Sequence, residues 1–152
     1  MPQLLVISDA NVLIDKEAGG LLRPMFRLDY HFAVPDVLYE VELRQDHTNL
    51  LKLGLRRMEL SGNSVRYVET LAADIRARGV SRYDLFALAL ARQEDCLLLT
   101  GDSRMRKLAK AEGRAVRMMR CAPQIDGCRG KTSSGRSNPL RCRYSRLTRP
   151  WL

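Results

Sequence analysis

Asp9, Glu40, Asp84 and Asp102 lie far apart along the chain, yet each falls where a strand or helix is expected to begin or end. Hard divalent cations bind carboxylate oxygens and usually retain some of their water. Such ions lower the pKa of a bound water, and a pair of them clamps the attacking and leaving oxygens of a phosphodiester. An acidic site of this kind draws one ligand from each of several elements. The chemistry these residues point to is therefore metal-assisted phosphodiester hydrolysis, with Asp9, Glu40, Asp84 and Asp102 as both catalytic acids and metal ligands.

Each acid also has an ordinary structural role open to it. Asp9 follows an apolar run and precedes Asn11, so it can cap the helix that starts there. Such a cap can satisfy one backbone donor and still face a cation. Asp84 stands three residues after Ser81, the spacing of a capping box. The segment LFALALA behind it is apolar on nearly every side, which puts this carboxylate at the rim of a buried helix, a costly place unless a cation is near. Asp102, in TGDSRM, can cap the next helix, with Thr100 and Ser103 orienting its oxygens. In PDVLYEVEL, Glu40 and Glu42 point roughly 200° apart on a helix of 3.6 residues per turn, so only one of them faces the site. With the apolar face drawn through Val37, Leu38 and Val41, Glu40 is preferred.

The elements that must position these acids alternate. LLVIS at 4–8 is a short apolar run that suits a buried parallel strand, and residues 11–17 suit a helix broken by Gly19-Gly20. HFAV at 31–34 is a second strand, followed by a helix with Pro35 in its first turn. Residues 50–60 have mixed periodicity. Residues 63–78 have helical spacing up to Gly79, and a further helix begins at Ser81. CLLLT at 96–100 is the strongest central strand, Ser103 to Glu112 a basic helix, and AVRMM at 115–119 the start of a last strand. Strands alternating with helices make a parallel α/β sheet. Ligands of such sheets collect at the carboxyl ends of strands, where Asp9 and Asp102 fall.

Length and composition fit one domain with a real core, since 45% of the 152 residues are hydrophobic. No apolar run is long enough for a membrane span, and the N-terminus lacks the features of a secretory signal, so a cytoplasmic location is expected. The net charge of +9 is confined to residues 114–152, which hold ten Lys/Arg and one Asp; the preceding residues balance. Residues 118–152 contain only four Leu, Ile, Val or Phe. Such a segment buries too little apolar surface to fold, and we expect a basic, disordered tail after a domain spanning 1–117. An Arg-rich tail could also serve as a nucleic-acid-binding arm. Cys121, Cys128 and Cys142 lack the paired spacing of a zinc site. No P-loop, dinucleotide fingerprint or nucleophile elbow is present.

The segments ISDANVLID, VPDVLYEVEL, SRYDLFALALA and LLTGDSRMRKLA together resemble the PIN-domain family, in particular the VapC-like toxin ribonucleases, over residues 3 to 117. The resemblance implies a three-layer α/β/α sandwich with a mostly parallel sheet. It also implies Mg²⁺ or Mn²⁺ held by Asp9, Glu40, Asp84 and Asp102, with Asn11, Thr100 and Ser81 in support, and cleavage of RNA. A homodimer and a neutralising antitoxin partner are implied as well. After AVRMM the chain departs from the family's apolar ending, which we read as out-of-frame translation or another processing scar. Two other readings remain at this point. One is a catalytically inactive PIN-fold binding or regulatory module; the other is a nuclease acting on DNA.

Overall fold

The strands β1 (Leu4–Ser8), β2 (Tyr30–Pro35), β3 (Arg56–Met58), β4 (Leu97–Thr100) and β5 (Val116–Met118) form one sheet in the order β3-β2-β1-β4-β5. Every adjacent pair is parallel. The structure, a computed structural model, describes residues 4–118. Successive side chains of a strand point to opposite faces. Val6, Ile7 and Ser8 are nevertheless all buried, as are Phe32, Ala33, Val34 and Pro35 in β2 and Leu98, Leu99 and Thr100 in β4. Both faces of the central strands are therefore covered, which is why these strands read as continuous apolar runs. The architecture is the expected α/β sandwich.

The covering helices are α1 (Ala10–Ala18), α2 (Leu22–Phe26), α3 (Asp36–Leu38), α4 (Asn49–Leu53), α5 (Gly62–Ala72), α6 (Arg82–Gln93) and α7 (Ser103–Ala111). The pivotal one is α6, where every residue from Asp84 to Ala91 is buried. It packs on β1, β2 and β4 and against α3, α5 and α7. Burying Leu85, Leu88 and Leu90, each at most 2% exposed, contributes about 2 kcal/mol per side chain.

Two stretches differ from the periodicity reading. The helix expected over 63–78 ends at Ala72, because Asp74 turns the chain and caps a separate 3₁₀ turn, Ile75–Ala77, by accepting the Arg76 amide at 2.8 Å. Pro35 ends β2 and is the N-cap of α3, but α3 passes directly into a π turn at Tyr39–Leu43. The expected tail, residues 118–152, lies outside the described residues apart from Met118, which β5 takes in. Cys121, Cys128 and Cys142 lie outside them too. No helix among the described residues is long and apolar enough to cross a membrane.

Candidate active site

The strand order changes direction between β1 and β4, with β2 and β3 laid down on one side and β5 on the other. At such a switch point the connections part, leaving a crevice beyond the carboxyl ends of the two strands. Asp9 directly follows β1, and its backbone amide donates to Leu99 O of β4 at 3.1 Å. Gly101 and Asp102 directly follow β4. The parallel register thus brings acids ninety-three positions apart to one edge.

Asp9 is 1% exposed, and its oxygens are well supplied with donors. Oδ1 accepts the Val12 amide at 2.8 Å, which caps α1. Oδ2 accepts the Thr100 hydroxyl at 2.5 Å and the Gly101 amide at 3.3 Å. The Thr100 oxygen in turn accepts the Asp102 amide at 3.1 Å. A carboxylate has about four lone-pair sites; these three donors leave room for one further partner. Asp102 is half-buried and caps α7, accepting the Arg104 amide at 2.8 Å. The cap role and a site-facing position coexist at both residues.

Asp84 enters from the first turn of α6. Ser81 caps that helix, accepting the Asp84 amide at 3.1 Å. The carboxylate is 8% exposed. Burial raises its pKa, hydrogen bonding to Ser81 offsets part of that, and the nearby Asp102 charge raises it again. Burial likewise raises the pKa of Asp9 against the pull of Thr100, with Asp84 adding to the rise. Asn11 is exposed on the first turn of α1.

Glu40 lies on the surface. Its carboxylate is exposed and held by two arginines, with Arg44 Nη1 at 2.7 Å and Arg57 Nη1 at 2.9 Å. The acid of this segment that senses the site is Glu42. It is half-buried, and its pKa is raised by burial, then by Asp84, then by Asp9. The two valines from which Glu40 was preferred face solvent. Val37 and Val41 are 38% and 57% exposed, whereas Leu38, Tyr39 and Leu43 are buried. Pro35, Leu38, Tyr39 and Leu43 mark the inner face, and that spacing, readable in the sequence, includes position 42.

The donors present are carboxylate and hydroxyl oxygens, the chemistry that suits Mg²⁺ or Mn²⁺. Among the described residues no three His, Cys, Asp or Glu side chains stand close enough to hold an ion jointly. Asp9 and Glu42 feel the charge of Asp84, and Asp84 feels that of Asp102, without a closed ligand cage among the described residues. Cys96, half-buried just before β4, has its thiol pushed up to about 11 chiefly by burial.

No family model and no curated protein matches the chain. Solved structures do. A PilT N-terminus domain protein of the archaeon Sulfolobus solfataricus P2 is 17% identical, with a TM-score of 0.53, over 76% of this chain and 86% of that one. A domain of a functionally unknown protein from Methanocaldococcus jannaschii is 19% identical, with a TM-score of 0.52, over 84% of this chain and 99% of that one. At such identities the likeness is one of fold. The chain has a PIN-like fold, the α/β architecture of PilT N-terminus domains.

Proposed function

We propose that the protein is a metal-dependent ribonuclease hydrolysing phosphodiester bonds in single-stranded RNA. The observation that supports this most is Asp84: a buried carboxylate beside the strand switch point that feels the charge of Asp102 and whose own charge is felt by Asp9 and Glu42. Concentrated negative charge of this kind needs a positive partner. Asp9, Asp84 and Asp102, with Glu42 in place of Glu40, would attract Mg²⁺ or Mn²⁺ and hold it partly through its retained waters, since no three of them stand close enough to ligate it together. When bound, the ion supplies a water of lowered pKa and neutralises charge at the scissile phosphate. Thr100 and the Gly101 amide fix the rotamer of Asp9, and Ser81 fixes the first turn that carries Asp84. Glu42, whose pKa is raised by burial and by Asp84 and Asp9, is the residue that would take up a proton beside the scissile phosphate.

The VapC-like motifs support a finer reading, a toxin of a type II toxin–antitoxin pair, dimeric and blocked by its antitoxin. The test is degradation of a single-stranded RNA by the full chain in Mg²⁺ against EDTA. Asp9→Asn and Asp84→Asn should abolish cleavage, Glu42→Gln should slow it severely, and Glu40→Gln should leave it standing. Full activity in Asp84→Asn would sink the proposal. The separation of the acids favours a second reading, a PIN-like module that binds without cleaving. That reading requires RNA to remain intact at every Mg²⁺ and Mn²⁺ concentration. A matched single-stranded DNA substrate tests the choice of sugar.

A further inference from the structure

Glu40, excluded from the acid crevice, sits between guanidinium groups from two different elements. Arg44 follows the π turn and meets Oε2 at 2.7 Å; Arg57 comes from β3 and meets Oε1 at 2.9 Å. Parallel pairing puts Arg57 opposite Val34 and Met58 opposite Pro35, so Arg57 stands near the carboxyl edge of the sheet, two strands from the β1–β4 switch point. Its guanidinium also lies over the ring of buried Tyr39, 5.3 Å from the centroid, which orders it independently of Glu40. Two residues from Glu40 along the same π turn is Glu42, which responds to Asp84 and Asp9. The arginines are 68% and 48% exposed, so a ligand can reach both.

Two arginines converging on one carboxylate are arranged as they would be for a phosphate, since both anions accept the planar guanidinium fork. An exposed ion pair of this kind adds little to stability, and its carboxylate can be displaced by a stronger anion. The nearby acids repel a polyanion, so a nucleic acid approaching the crevice needs positive charge beside it. We propose that Arg44 and Arg57 form a subsite for a backbone phosphate flanking the acid crevice, and that Glu40 occupies this subsite until the nucleic acid displaces it. The proposal rests on the nuclease reading of the crevice. It makes Glu40 a competitor of the substrate rather than a metal ligand.

The test is anisotropy of a labelled single-stranded RNA oligonucleotide with the full chain in EDTA, across a salt series. Glu40→Gln should bind several-fold more tightly, with a log–log salt slope steeper by up to about 0.7 per arginine released. Arg44→Ala/Arg57→Ala should bind roughly tenfold or more weakly at about 0.1 M salt, with a shallower slope. In that arginine-free background Glu40→Gln should change nothing. All three variants lie on the surface and should melt with the parent. Equal or weaker binding by Glu40→Gln overturns the proposal, as does a gain that persists without the arginines. The basic tail is common to every variant and cancels from these differences. If Asp84→Asn still cleaves RNA, the nuclease reading fails; if it is inactive but Glu40 and the arginines are uncoupled, only the subsite fails.

Discussion

Thr100 ties two acids together with a single hydroxyl, donating to Asp9 and accepting from the Asp102 amide. Thr100→Val keeps the shape and removes both bonds. Hydrogen-bond partners of metal-ligating side chains typically matter by 10–100-fold in affinity or rate, so a loss of about that size is expected in the RNA assay. Thr100→Ser should restore most of the activity, because it returns the hydroxyl; failure of that rescue would show that packing, not orientation, is the contribution. At this scale the positions of Asp9, Asp84 and Asp102 were legible in the sequence: Asp9 and Asp102 follow β1 and β4, and Asp84 lies in the first turn of α6. Glu42, weighed against Glu40, was ranked second for a physical reason. Valines at 37 and 41 attract a hydrophobicity argument, but here they face solvent, and the inward face is set by Leu38, Tyr39 and Leu43.

Elements were legible in proportion to their burial. LLVIS and CLLLT are covered on both faces and announce themselves as unbroken apolar runs. β3 does not, because it is three residues at the sheet edge with Arg56 and Arg57 exposed. Charged side chains on an edge strand discourage pairing with another chain, so the feature that protects it also hides it. The joint between the 3₁₀ turn and α6 depends on Gly79, whose φ of +83° is strained for any side chain, and Arg104 of α7 lies directly against it. Gly79→Ala should cost about 1–2 kcal/mol in urea unfolding, and an unchanged midpoint would contradict that geometry. In the π turn, Leu43 is fully buried, and Leu43→Ala should cost about 2–5 kcal/mol in the same experiment.

For the molecule as a whole, the crowded acids couple function to stability. Asp9, Asp84 and Glu42 have folded-state pKa values above their ordinary 3.8, 3.8 and 4.5. An acid whose folded pKa is raised favours the native state while protonated and opposes it once ionised. Metal-free stability from these groups therefore falls as pH rises from about 4 through the raised values. Glu42→Gln/Asp84→Asn should melt higher than the parent at pH 7 without metal, with a flatter pH profile by calorimetry. Mn²⁺ at about 100 times its Kd should add roughly 2.7 kcal/mol to the parent; an equal thermal shift in the double variant would place the ion elsewhere. The most enclosed part of the fold sets a further limit. Since α6 presents no free side from Asp84 to Ala91, the helix delivering a key acid has little freedom to drift in sequence. Any retuning of preference toward new targets must be written into the periphery, the π turn and the start of α7, where change leaves the scaffold standing.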